Sequence, residues 1–172
     1  MKQLFTLKDL LQEQLRDLYD AEMQYSFQLP SLIHASTSPE LRAQLEEMAI
    51  QTRDNASQLK RACELMNVPA DGVTCEAMNG LIREAKDTAA VWGDTATIDA
   101  SIIANAQRIV HYEIAGFGTA REFANCLGKK DVAKILGELL SASVESDKSF
   151  TRIATGGWFS RGINHEAAQL AA

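Results

Sequence analysis

A chain of 172 residues suffices for one domain that buries about 70% of its unfolded surface, so neither a disulfide nor a structural metal is required merely to fold it. The net charge of −6, with 17 Lys and Arg scattered among 23 Asp and Glu, argues against nucleic acid as a partner, since phosphate binding needs a clustered cationic face. No apolar run approaches the ~18 residues of a membrane span, and the acids in the opening MKQLFTLKDLLQEQLRDLYD come too early for a secretory leader.

Cys63, Cys75 and Cys126 form no CxxC pair, and an odd count is not a disulfide framework. They read as reduced, mostly buried thiols, and the expected location is the cytoplasm.

Strand-like alternation is absent and only three prolines, Pro30, Pro39 and Pro69, interrupt the chain, so the sequence reads as all helix. A first helix should start after Thr6 as N-cap and run to about Ala35, with Leu7, Leu11, Leu18, Tyr25, Leu29 and Leu32 inward. Pro30 falls inside it and should kink the final turn. Ser38-Pro39 is a start signal for a second helix, which presents Leu41, Leu45, Met48, Thr52, Leu59, Cys63 and Met66 and stops before Pro69-Ala70-Asp71-Gly72.

A shorter third helix is expected from Glu76 to about Trp92, with Met78, Leu81, Ala85 and Trp92 inward. After Gly93-Asp94-Thr95 a fourth helix should span about Thr97 to Leu127, closed by Gly128 in a left-handed conformation. Its inward stripe is Ile102, Ala106, Ile109, Glu113, Gly116, Ala120, Phe123 and Leu127. The fifth helix, about Lys130 to Ala154, offers Val132, Leu136, Leu139, Ser143, Asp147 and Phe150. Residues 156–172 read as a tail, irregular at first and mobile at its end, packing on or trailing from a bundle formed by residues 1–155. Four long helices and one short one, joined by brief loops, specify an antiparallel four-helix bundle.

Two acids interrupt the apolar stripes, Glu22 in the first helix and Glu113 in the fourth. A buried carboxylate is costly unless paired, protonated or bound to a metal. One arrangement that needs such residues is a carboxylate-bridged di-metal centre; the plainer one is a polar helix crossing satisfied by neighbouring side chains. His111 lies about 200° around the helix from Glu113, so it should face outward, toward solvent or a subunit contact. Tyr112 lies between the two directions and could reach a neighbouring helix. His34 sits at a helix end, where it suits the helix dipole, and His165 has no partner in sequence. No Gly-rich phosphate loop, nucleophile elbow or Cys-His constellation with ligand spacing occurs.

Glu22 within "DLYDAEMQ", the segment "CEAMNGLIREA" at 75–85, "AQRIVHYEIAGFGTA" at 106–120 and "INHEAA" at 163–168 together resemble the YciE/YciF-type bacterial ferritin-like proteins over almost the whole chain. The resemblance implies a ferritin-like four-helix bundle with one additional short helix, usually a homodimer, associated with stress-response operons and with di-metal binding. Glu22 and Glu113 fall on family acids. Other ligand positions do not match: Val110 stands where the fourth helix should carry its first acid. Met48-Ala49-Ile50-Gln51-Thr52 replaces an H-L-x-E-T pattern, and Leu140-Ser141-Ala142-Ser143-Val144 replaces L-x-E-E-K.

A di-metal site needs roughly six protein ligands, and about two survive, so no di-iron centre is expected. In its place the expectation is a metal-free polar knot of Glu22, Gln51 and Glu113, with Arg53 or Arg108 as further cationic candidates. The functional expectation is a stress-associated, non-enzymatic homodimer with a structural or interaction role, without cofactor, nucleic acid or membrane partner. The alternative is an oxidoreductase acting on peroxide or Fe(II) through a single Fe, Mn or Zn ion on Glu22, Glu113 and perhaps Asp147. Iron storage in a cage is the weakest reading.

Overall fold

The structure is a computed structural model that describes residues 4–157 and 161–169. The described residues form six helices: α1 (Leu7–Ala35), α2 (Pro39–Leu65), α3 (Glu76–Ala89), α4 (Thr95–Cys126), α5 (Lys130–Thr155) and α6 (Ile163–Ala168).

The helix boundaries follow local chemistry. Thr6 and Asp9 form a reciprocal capping box at the start of α1, which satisfies backbone N–H groups that no turn precedes. α1 then runs through Pro30 to Ala35. Ser38 accepts from Leu41 N–H with Pro39 in the first helical position of α2, Asp94 accepts from Thr97 N–H at the start of α4, and Gly128 adopts φ 67° after α4.

Two ends differ from the sequence reading. α3 stops at Ala89, so Trp92 lies in the connection to α4 and is 97% exposed instead of inward. Hydrophobicity at the right spacing could not report that the helix ends a turn early. The tail contains α6, a sixth helix, which packs on α4 and α5 and buries Ile163. Gly162 makes this docking possible: it lies against the backbone of Ala154, Thr155 and Gly156, where a Cβ has no room. The expected mobile end, residues 170–172, lies outside the described residues.

α1 packs on α2 and α4, and α5 packs on α4 and α2, so the four long helices close a ring. Neighbours run antiparallel: Gln12 reaches the Met66 carbonyl, Asn55 reaches Glu22, Asp17 faces Tyr112, and Asp99 holds Thr37. α2 and α4 therefore point the same way. Their connection crosses the length of the bundle and carries α3, which rests on α1 and α4.

The core falls into two apolar clusters, one around Tyr25, Leu29, Met48 and Ile109, the other around Leu11, Leu15, Leu59, Phe117 and Leu136. Between them Leu18 packs so closely on Gly116 that a Cβ there would meet the Leu18 Cδ2 at 2.5 Å. Leu18 is 1% exposed and has little space to retreat. We expect Gly116→Ala to cost about 1–3 kcal/mol through overpacking, read as a lowered thermal midpoint with an unchanged helical spectrum. The same close approach sets the height of the two buried acids, since Glu22 lies four residues beyond Leu18 and Glu113 three before Gly116.

Candidate functional site

Glu22 and Glu113 are each 1% exposed at the centre of the bundle, as the stripe periodicity predicts. The Asn55 amide of α2 donates to Glu22 Oε1 at 3.3 Å, and the Ser143 hydroxyl of α5 donates to Glu113 Oε2 at 2.9 Å. Every long helix thus contributes one polar side chain to this level. The other oxygens, Glu22 Oε2 and Glu113 Oε1, are buried without a hydrogen-bond partner among the described residues, as are the Tyr25 hydroxyl and Gln51 Nε2.

Burial raises the Glu22 carboxyl well above the ordinary carboxylate range, and the nearby Glu113 charge raises it further, against the lowering effect of Asn55. Burial pushes Glu113 up to about 7, opposed by its bond from Ser143. Burial, then the charges of Glu113 and Glu22, also raise the Tyr25 phenol. Two like charges cannot both be held here without a counter-charge, so the pair titrates as one unit that retains a proton near neutrality.

Gln51 is engaged differently from the expected knot. Its amide oxygen accepts from the Ser146 hydroxyl at 3.0 Å, and the direct donors to the two acids are Asn55 and Ser143. Arg53 is exposed, and Arg108 donates to Asn105 Oδ1 at 2.7 Å, so neither supplies positive charge to the pair. Asp147 is drawn to the outer seam of α4 and α5, where its Oδ1 accepts from Gln107 Nε2 at 2.9 Å and lies 3.1 Å from His111 Nε2. The His111 side chain is 65% exposed, in keeping with its outward position on the wheel.

These residues do not fit a di-metal centre. Val110 and Met48 are fully buried apolar side chains, α2 and α5 offer amides and hydroxyls, and among the described residues no His joins the two acids. Among the described residues, no group of three or more His, Cys, Asp or Glu side chains gathers in metal-holding geometry.

Two further polar clusters emerge. Asp99, 2% exposed on α4, accepts from Thr37 N–H at 2.9 Å, the Thr37 hydroxyl at 2.7 Å and Ser38 N–H at 2.7 Å, and so ties down the α1–α2 turn. The Tyr112 hydroxyl donates to Asp17 Oδ2 at 2.6 Å and lies 2.9 Å from Cys75 Sγ, which caps α3 by accepting from Met78 N–H. Burial raises both the Cys75 thiol and the Tyr112 phenol, which keeps these two groups protonated. Cys63 is likewise a buried thiol, whereas Cys126 is exposed.

The class defined by fold and site is an all-helical, single-crossover assembly built around a buried carboxylate pair with neutral donors. Residues 6–168 match the family described as "Domain of unknown function (DUF892)", and the chain belongs to that family. It is 31% identical to Protein YciF of Escherichia coli K12 over 150 residues, covering 87% of this chain and 90% of YciF.

The crystal structure of the E. coli stress protein YciF superposes with a TM-score of 0.83 at 31% identity, covering 86% of this chain and 94% of that one. YcfI from Rhodopseudomonas palustris gives 0.85 at 34% identity, covering 89% and 98%. A Xanthomonas campestris protein at 17% identity and TM-score 0.69, covering 96% and 94%, shares the fold alone. The resemblance read from the sequence therefore holds.

Proposed function

We propose that this protein is a ferritin-like bundle that has lost its di-metal site and serves a stress-associated structural or interaction role as a cytoplasmic homodimer. The ferritin-like assignment is supported by the ring of four long helices with one crossover connection. The stress association is supported by the likeness to YciF, itself described as a stress protein.

The observation that carries the proposal is the donor set: Glu22 and Glu113 are met by Asn55 and Ser143 where a metal centre needs further acids and imidazoles. Elemental analysis of protein produced with added iron, manganese and zinc should find well under one tightly held metal per chain. Near-stoichiometric metal that Glu113→Ala abolishes would overturn the reading.

One observation favours a second reading, the unpartnered oxygens Glu22 Oε2 and Glu113 Oε1, on side chains whose charges act on the equally unpartnered Tyr25 hydroxyl. A single Fe, Mn or Zn ion there would give a metal-dependent oxidoreductase of reduced ligand number. Oxygen or peroxide consumption during Fe(II) oxidation, compared with free iron, separates the two readings.

A further inference from the structure

Four of the buried polar atoms that lack a hydrogen-bond partner among the described residues belong to the polar level of the bundle: Glu22 Oε2, Glu113 Oε1, the Tyr25 hydroxyl and Gln51 Nε2. A buried polar atom is costly unless it is hydrogen-bonded, so four on three facing helices call for a common partner.

The helix register gathers them. The charge of Glu113 acts on Glu22, and the charges of both act on Tyr25, one turn further along α1. On α2, Asn55 stands against Glu22, and the two helices run antiparallel. One turn back on α2 therefore stands across from one turn forward on α1, which sets Gln51 across from Tyr25. α5 keeps the same spacing: Ser143 donates to Glu113, and Ser146, three residues on, donates to the Gln51 amide oxygen. With that oxygen committed to α5, the Gln51 NH₂ is turned to the bundle interior, where it is buried.

The chemistry of the set selects its ligand. The two carboxyl oxygens accept, the amide nitrogen only donates, and the phenol does either. Two acceptors and two donors are the complement of one water molecule, which donates two hydrogens and accepts two. The proton that the acid pair retains keeps the match, because the phenol turns from donor to acceptor when a carboxyl oxygen donates. A metal cation would find the acids but meet the hydrogens of Gln51, an anion would meet the acids, and an apolar group would leave all four atoms orphaned.

We propose that the centre of the bundle binds one water molecule, bridging Glu22 and Tyr25 of α1, Gln51 of α2 and Glu113 of α4. The inference rests on the metal-free reading above and names what stands between the acids. Through the Ser146 bond to Gln51 the water also reaches α5, so one molecule joins all four long helices.

A high-resolution crystal structure of the full chain, grown with added iron, manganese and zinc, tests this. One rounded density peak without anomalous signal is expected, about 2.7–3.2 Å from each of the four atoms. An anomalous peak about 2.0–2.2 Å from the Glu oxygens would overturn both the water and the metal-free reading. Carboxyls of Glu22 and Glu113 bonded directly to each other, with no peak between them, would overturn the water and leave the metal-free reading standing. In solution, Gln51→Glu turns the inward donor into an acceptor and should tighten Mn²⁺ or Zn²⁺ binding at least about tenfold over the parent by calorimetry. A folded Gln51→Glu chain that binds these ions no better than the parent would overturn the inward donor on which the water depends, and the crystal measurement stands whether or not the variant folds.

Discussion

Raising the pH from 5 to 8 should lower the stability of the parent protein, and Glu113→Gln should remove the share of that dependence that belongs to Glu113, leaving the share that burial of Glu22 sustains. The sign follows from the buried pair. Unfolded, a Glu side chain titrates near 4.5, whereas folded Glu113 is held up at about 7 by burial. Between those values the folded chain keeps a proton that the unfolded chain has released, so unfolding releases protons and stability falls as pH rises. The favourable contribution is fully present below 4.5 and lost as pH climbs through about 7. Each tenfold gain in proton affinity is worth about 1.4 kcal/mol, so the loss is on the order of 3 kcal/mol. Glu22, raised by burial and by the Glu113 charge, carries the decline further.

In Glu113→Gln the amide oxygen can still accept from Ser143, but the site no longer ionises and Glu22 loses its like-charged neighbour. The variant should match the parent near pH 5 and exceed it at pH 8. Asp9, Asp94 and Glu122, exposed acids whose pKa values are lowered by local hydrogen bonds, are common to both chains and cancel in the comparison. Parallel urea-unfolding curves for parent and variant across pH 5 to 8 would show that the pair is not the origin of the dependence.

A loss of comparable size is expected from Asp99→Ala, about 3 kcal/mol. The carboxylate accepts two backbone N–H groups and one hydroxyl at 2.7–2.9 Å from a position 2% exposed. Removing it leaves the Thr37 and Ser38 amides of this part-buried turn without their acceptor, and a donor shielded from water costs more when orphaned than the net value of the bond it made. Asp99→Asn should fall between, because one oxygen still accepts while the new NH₂ confronts a donor. A shift of the urea midpoint at constant slope is the expected signature, and a loss under about 1 kcal/mol would mean that water replaces the carboxylate at this turn.

Most of the fold is legible in the sequence because it rests on local rules. The Thr6 and Ser38 caps, the Gly128 stop and the stripes of α2 and α4 are each decided within a turn or two of sequence. Glu22 and Glu113 can be picked out for the same reason, as charged residues on an apolar period. What escapes such rules depends on partners far along the chain.

Asp99 continues the α4 stripe one step of three before Ile102, but nothing local says that a turn 62 residues away needs its oxygens. Asn55 fills the step that the α2 stripe skips between Thr52 and Leu59, and only the packing of α2 on α1 brings it to Glu22. The family resemblance, not spacing, puts Gln51 beside the acids, and its place on α2 instead hands its oxygen to Ser146 of α5. Trp92 and α6 turn on where a helix stops and where a tail docks, which hydrophobicity alone does not encode.

The polar level at the middle of the bundle has a further consequence, for the alignment of the helices along their axes. Leu and Ala stripes repeat every three or four residues, so sliding one helix by a turn of about 5.4 Å would set similar side chains against similar side chains at modest cost. The bonds Asn55 to Glu22, Ser143 to Glu113 and Ser146 to Gln51 admit no such translation, since a one-turn slip strands a carboxylate or amide in hydrocarbon. The two acids and their donors thus act as a vernier: they mark one of several near-equivalent registers as the only one in which the bundle closes.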